Sequence, residues 1–132
     1  MDEGFIFGCS AQGRVALSIL RLQHPKTTWF FIDENPEMLN KSINGARVAG
    51  GLDFLLTKKK PGMHIALGNP LVKRKIVQRC TALQVELIQA IHPSAVIAAE
   101  ATIGAGAFIG AGAIINTDAV IGDYTLINTG VI

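Results

Sequence analysis

The sequence predicts an α/β protein, in which a small parallel sheet covered by helices is followed by a parallel β-helix. Three observations support this prediction: a six-residue repeat, alternating strand and helix patterns before it, and a change of charge between the two parts. Residues 1–90 carry twelve Lys and Arg against seven Asp and Glu, whereas residues 91–132 carry three acids and no Lys or Arg. We therefore expect a boundary near residue 90.

The repeat is visible when the C-terminal part is read in sixes, as IHPSAV, IAAEAT, IGAGAF, IGAGAI, INTDAV, IGDYTL and INTGVI. Isoleucine opens every hexad, and a small or short side chain follows four residues later. A period of six fits neither a helix nor a simple strand; it is typical of a hexapeptide-repeat β-helix with three hexads per coil. We expect the isoleucines to stack inside, because a flexible Gly/Ala-rich tail would contain few β-branched residues.

The first element is an apolar run over residues 4–8, which is typical of a buried strand. A helix is predicted from about residue 11 to residue 22. Gly8, Ser10 and Gly13 occupy the places of a G-x-G-x-x-G fingerprint, with serine at the second place. In that motif the free N–H groups of a helix start face an anion. An ordinary strand-to-helix turn would also explain these residues.

A second strand over residues 28–32 ends at Asp33, twenty residues after Gly13. An acidic residue at this spacing can accept hydrogen bonds from a ribose or a base. The alternative is a strand-ending turn, which Asp, Asn and Pro also favour. The two features together favour a nucleotide site.

The remaining elements complete a small doubly wound sheet. They are a short strand flanked by glycine turns in residues 41–51, a short helix over 52–56, a strand over 63–68, a helix over 69–81 and a strand over 85–90. Since this is about half of a full dinucleotide-binding domain, a mononucleotide fits better than NAD.

Several further residues are interpreted without a functional role. His64 starts a buried strand and is interpreted as structural rather than as a catalytic base. Lys73, Arg74, Lys75 and Arg79 lie mostly on the solvated side of the second helix; the alternative is that one of them approaches a phosphate. Cys9 lies at a helix N-terminus, where a thiol pKa can fall, but we interpret it as small-residue packing.

Composition limits the function classes. No apolar run reaches the roughly 18 residues of a membrane span, and Met1-Asp2-Glu3 does not open a signal peptide. Cys9 and Cys80 have no paired spacing, so a reduced, cytoplasmic protein without a metal site is expected. The modest basic charge with few aromatic residues argues against nucleic acid as a partner.

The segments GCSAQGR, FIDENP, ALGNP and IHPSAVIAAEATIGAGAFIGAGAIIN together resemble a bacterial sugar acetyltransferase family. That family includes sialic-acid O-acetyltransferases and UDP-4-amino-sugar N-acetyltransferases, and the resemblance covers the whole chain. It implies a Rossmann-like nucleotide-sugar-binding domain over residues 1–90 and a left-handed β-helix over residues 91–132. It also implies acetyl-CoA-dependent transfer to an amino or hydroxyl group of a nucleotide-linked or acidic sugar, by a homotrimer, in surface-glycan biosynthesis.

The resemblance also implies one substrate pocket formed by the ends of three strands. Its residues would be Ser10, Ala11, Gln12 and Gly13 against the sugar nucleotide, Asp33 and Glu34 on the uracil or ribose of a UDP-sugar, and Gly68 and Asn69 in the wall. The family loop often carries glycine and histidine where this chain has Ala11 and Gln12.

The C-terminus departs from the family pattern. The catalytic histidine of the family follows shortly after the segment that corresponds to residues 127–132, and His24, His64 and His92 match none of its places. We therefore predict no catalytic residue in this chain and an acetyl-CoA site mostly outside it. Seven hexads make about 2.3 coils, a stack about 11 Å tall without a cap, so the chain is expected to be truncated.

Two alternatives to an acetyltransferase remain from the sequence. The first is a catalytically inactive fragment that binds a sugar nucleotide or only oligomerises. The second is an NAD-binding regulatory domain, against which the small size of the sheet counts. We expect self-association, because the stacked faces of the repeat leave apolar Ile, Val and Phe108 surface, and we expect no acetyl transfer by residues 1–132 alone.

Overall fold

The computed structural model describes all residues from 1 to 132. The N-terminal elements are β1 (Glu3–Phe7), α1 (Ala11–Gln23), β2 (Thr28–Ile32), β3 (Ser42–Ile43), β4 (Ala46–Gly50), β5 (Gly62–Ile65), α2 (Pro70–Ala82) and β6 (Glu86–Leu87), with 3-10 helices at Pro36–Met38 and Leu52–Thr57. The coil strands are β7 (Ala90–Ile91), β8 (Val96–Ile97), β9 (Thr102–Ile103), β10 (Phe108–Ile109), β11 (Ile114–Ile115), β12 (Val120–Ile121) and β13 (Leu126–Ile127). No helix combines the length and the apolar character that crossing a membrane demands.

Six strands form one sheet in the order β3-β4-β2-β1-β5-β6. All neighbouring pairs are parallel except β3 and β4, which form an antiparallel hairpin. From β1 the chain continues to β2 on one side and only later to β5 on the other. In a sheet of this kind, ligands bind outside the carboxyl ends of the strands, at the place where the strand order reverses. That place lies between β1 and β5.

Each face of the sheet has its own apolar core, because alternate residues of β1 point to opposite sides. Ile6 joins Leu17 and Leu20 of α1 in one cluster, whereas Phe5 and Phe7 join a second cluster. The second cluster also contains Ile76, Val77 and Cys80 of α2 and Leu52 of a 3-10 helix. The mixed α/β architecture with a parallel sheet, expected from the sequence, is therefore present.

Two segments differ from the expectation. Residues 41–51 form a hairpin rather than a single strand, because Asn44 and Gly45 both adopt positive φ angles, 50° and 83°, as tight hairpin turns require. The strand expected over residues 85–90 is divided. Glu86–Leu87 pairs with β5, while Ala90 pairs with Phe108 of the coil.

The C-terminal part is a coil with three flat faces, in which residues eighteen apart are neighbours. Ala90 pairs with Phe108, Val96 with Ile114 and Thr102 with Val120, always in parallel. Positive φ angles recur every six residues, at Gly106, Gly112, Asp118, Tyr124 and Gly130. All seven hexad isoleucines are buried or half-buried, in agreement with their predicted inward position.

One face of the coil packs on the sheet domain and two do not. Phe108, expected on the exposed apolar surface, is only 4% exposed, because it packs within the core cluster of α1. Val96 and Val120, on the other two faces, are 61% and 76% exposed. Lys73 of α2 was expected in solvent, but it is half-buried and donates a hydrogen bond to the carbonyl of Tyr124. Burial lowers the pKa of this amine. The coil is therefore held to both α1 and α2.

Candidate functional site

An open cleft of about 630 Å³ lies at the carboxyl edge of the sheet. It is bordered by the loops that follow β1, β2 and β5 and by one side of α2. Its lining consists of residues 7–10, residues 33–35, Met38, Leu67, Val72 and Ile76. The cleft therefore occupies the place where the topology of the sheet predicts a ligand.

The N-terminus of α1 is closely packed, but its first backbone N–H groups have no hydrogen-bond partner. Gly8 has a φ angle of +98°, and a Cβ on Gly13 would collide with the carbonyl of Gly8, so both glycines are sterically required. Ser10 is the N-cap residue, yet its side chain makes no capping hydrogen bond, and the first turn contains no acid. The backbone N–H groups of Ala11, Gln12 and Gly13 find no acceptor within the protein. Such a terminus attracts an anion.

The N-terminus of α2 follows β5, the strand adjacent to β1, and it is capped by its own residues. The side-chain oxygen of Asn69 accepts hydrogen bonds from the N–H groups of Leu71 and Val72 at 3.0 and 3.2 Å. Pro70 at the first helical position has no N–H to satisfy. The cap residue and the proline together leave this helix little capacity to bind an anion.

Asp33 is fixed by both of its carboxylate oxygens. Oδ1 accepts the N–H of Asn35 at 2.8 Å, and Oδ2 accepts the thiol of Cys9 at 3.1 Å. Burial and the neighbouring Asp33 raise the pKa of the Cys9 thiol to about 11. The thiol is therefore protonated at neutral pH, contrary to the lowering that a helix N-terminus can cause.

Glu34 lines the side of the cleft that lies next to the β3–β4 hairpin. One of its oxygens accepts the N–H of Leu52 at 3.1 Å, and the other pairs with Arg79 of α2. These contacts connect the loop after β2 to α2 across the cleft. The carboxylate of Glu34 is thus engaged within the protein.

His64 lies in β5, beside Ile88 in the segment that leads from β6 into the coil. It is 1% exposed, and its Nδ1 donates a hydrogen bond to the carbonyl of Ile88 at 2.8 Å. Burial lowers the pKa of the imidazole to about 4. This neutral ring does not border the cleft, which agrees with its structural interpretation.

The eight residues proposed from the sequence fall into three groups. Ser10, Asp33 and Glu34 line the cleft together. Ala11, Gln12 and Gly13 form the first turn of α1 directly behind it, and the side-chain amide nitrogen of Gln12 is buried without an acceptor. Gly68 and Asn69 do not line the cleft; Asn69 is the N-cap of α2, and Gly68 precedes it.

The sequence did not identify the apolar wall of the cleft or the bond between Cys9 and Asp33. Val72 and Ile76 are four residues apart on α2, a spacing that is typical of the apolar side of a helix. Val72 is nevertheless 46% exposed and faces the cleft. The exposed position of Val72, near the N-terminus of the helix, was not distinguishable from helical periodicity alone.

An α/β domain with an uncapped Gly-rich helix start and an acidic strand end has the arrangement that doubly wound nucleotide-binding folds share. The family model of the PglD N-terminal domain matches residues 5–80, and the chain belongs to this family. A search among curated proteins finds no match.

Solved structures resemble the chain over almost all of its length. A perosamine N-acetyltransferase variant from Caulobacter crescentus, in complex with CoA and GDP-perosamine, is 28% identical, with a TM-score of 0.86. The match covers 98% of this chain and 61% of that chain, so this chain spans less than two thirds of its relative. The resemblance to sugar acetyltransferases expected from the sequence is thereby confirmed.

Two further structures have the same fold. The acetyltransferase domain of PglB from Neisseria gonorrhoeae is 25% identical, with a TM-score of 0.69, over 98% of this chain and 69% of that chain. WeeI from Acinetobacter baumannii is 24% identical, with a TM-score of 0.84, over 96% and 61% of the two chains.

Proposed function

We propose that this chain is the nucleotide-sugar-binding part of an acetyltransferase that uses acetyl-CoA. The observation that carries the proposal is the cleft itself, in which an uncapped α1 N-terminus and an oriented Asp33 lie at the reversal point of the sheet. Membership of the PglD N-terminal domain family and the likeness to a GDP-perosamine complex support it.

The diphosphate would lie at the start of α1. Three unpaired N–H groups and the positive end of the helix dipole favour a doubly charged anion there. In this proposal Ser10, Ala11, Gln12 and Gly13 contact the sugar nucleotide. Because Asn69 caps α2, the neighbouring helix does not compete for the anion.

The nucleoside would extend from there towards the end of β2. Asp33 would accept hydrogen bonds from the ribose hydroxyls, with Glu34 beside it. The apolar side chains of Met38, Val72 and Ile76 offer one face to a flat base. This wall carries no pattern of donors specific for one base, so uracil and guanine are both candidates. Gly68 and Asn69 would lie next to the pocket without contacting the nucleotide.

The coil would serve the transfer step of an acetyltransferase. We propose that it is a left-handed β-helix and that acetyl-CoA is the co-substrate, with a general base that deprotonates the acceptor amine or hydroxyl. We assign no catalytic residue within residues 1–132. The two coil faces that carry exposed Val96 and Val120 are the surfaces we propose for homotrimer contacts.

The test is a calorimetric titration of the chain with UDP, GDP, a UDP-amino-sugar and GDP-perosamine, with NAD as a comparator. We expect saturable binding of at least one nucleoside diphosphate and its sugar, and no binding of NAD. Asp33→Asn should weaken this binding about tenfold, because a hydrogen bond to a charged acceptor is lost. Glu37→Gln is the matched control, since Glu37 is acidic and close in sequence but does not line the cleft.

Each result decides between named alternatives. Tight NAD binding would favour the NAD-binding regulatory domain. If no nucleotide binds, the proposed site is contradicted. The chain would still belong to the family, but these residues would have no role in binding a substrate. Equal loss of affinity in Asp33→Asn and Glu37→Gln would show that only net charge matters.

A further inference from the structure

The loops that follow β1 and β2 are joined by a hydrogen bond between side chains inside the cleft. The thiol of Cys9 donates to Oδ2 of Asp33 at 3.1 Å, while Oδ1 receives the N–H of Asn35 at 2.8 Å. One donor therefore holds each oxygen, and the two donors come from different loops. The carboxylate plane is fixed before any ligand arrives.

This arrangement orients Asp33 without exhausting it. A carboxylate has about four lone-pair sites, and two of them are occupied here. Cys9 and Asp33 both line the cleft, so the remaining acceptor capacity is available to a ligand there. An acceptor held in one orientation selects a hydroxyl at one position more strongly than a freely rotating carboxylate would.

We infer that Cys9 is a positioning residue whose thiol holds Asp33 so that the cleft selects a nucleotide carrying a ribose 2′-hydroxyl. The inference rests on the proposed function and adds ribose specificity to it. Its chemistry requires only a hydrogen-bond donor at position 9, and not a nucleophile. The raised thiol pKa agrees with this, since the neutral thiol is the form that donates.

The first arm of the test needs no nucleotide. Iodoacetamide labelling of Cys9 is followed by peptide mass spectrometry at several pH values, with buried Cys80 as the internal reference. Asp33→Asn removes the negative charge beside the thiol, so Cys9 should react at least about threefold faster near pH 8.5. Glu37→Gln should leave the rate unchanged. An unchanged rate in Asp33→Asn would overturn the proposed bond.

The second arm compares UDP with 2′-deoxy-UDP, and GDP with 2′-deoxy-GDP, by calorimetry. The wild-type chain should prefer the ribonucleotide by about tenfold, as expected for a hydrogen bond to a charged group. Cys9→Ala should reduce this preference to about threefold or less, and Cys9→Ser, which retains a donor, should restore it. In an Asp33→Asn background, Cys9→Ala should have no further effect.

The outcomes separate the two proposals. If neither UDP nor GDP binds, the proposed function fails and ribose selection fails with it. If the wild-type chain prefers the ribonucleotide and Cys9→Ala keeps that preference, only the inference about Cys9 fails. A loss in Cys9→Ala that Cys9→Ser does not restore would also overturn it. Cys9 is half-buried, so thermal unfolding of each variant checks that the protein still folds.

Discussion

Two helices begin at the carboxyl edge of the sheet, after the adjacent strands β1 and β5, and their first turns are built in opposite ways. At α2, Asn69 occupies the free N–H groups with its own side chain, and Pro70 removes another. At α1, Ser10 forms no cap with its side chain and three N–H groups have no acceptor in the protein. A helix start of the first kind stabilises the fold, whereas one of the second kind can bind an anion.

The same contrast appears in the glycines of the two junctions. Gly13 has no space for a Cβ, because the carbonyl of Gly8 lies against it, whereas a Cβ on Gly68 would meet nothing within 4 Å. Close contact between β1 and α1 brings the open helix start to the edge of the cleft. The α2 junction has no comparable restriction. The helix start proposed to bind an anion and the helix start that only supports the fold therefore differ in how tightly their backbones are packed.

The largest expected effect is at Gly13. Gly13→Val should destabilise the chain by about 3 kcal/mol or more, because the added side chain must displace the backbone carbonyl of Gly8. Gly68→Ala is the matched control at the other junction and should change the free energy of unfolding by less than about 0.5 kcal/mol. Urea unfolding measures both. Equal costs at the two glycines would contradict the steric difference between the junctions.

The second prediction concerns pH and the strand that leads to α2. His64 has a pKa of about 4 in the folded chain, below the ordinary value of 6.5. Between these values the unfolded state binds more protons, so stability falls as the pH drops from about 6.5 to about 4. The loss should reach about 3 kcal/mol, and it should change little below that window.

The measurement is urea unfolding between pH 4 and pH 7 for wild type and for His64→Gln. The variant should lose this part of the pH dependence, even if it is less stable at pH 7. Carboxylates also titrate in this range, and the difference between the two proteins removes their contribution. Identical slopes would show that His64 is hydrated, or already charged, in the folded chain.

The sequence identified the helix starts but not the difference between them. The serine and the asparagine at these two positions are both favourable N-cap residues, and only the side-chain orientation decides which of them caps. The hexads predicted the coil well, because inward isoleucines every six residues fit only one architecture. The expectation that Phe108 is exposed was wrong, since the residue before each isoleucine points outward and its burial depends on which face meets the sheet. A local sequence pattern such as the hexad does not show which distant residues pack against it.

The smallest effects on stability directly compare the two caps. Asn69→Ala should cost about 1 kcal/mol, since two N–H groups lose their acceptor, whereas Ser10→Ala should cost close to nothing. The loss of nucleotide affinity should rank these two substitutions in the opposite order. Ser10→Ala alters the wall of the cleft and should weaken UDP or GDP a few-fold, while Asn69→Ala should leave their affinity nearly unchanged. If Ser10→Ala were as destabilising as Asn69→Ala, the Ser10 side chain would cap α1 in solution. It would then stabilise the helix and would not be part of an anion site.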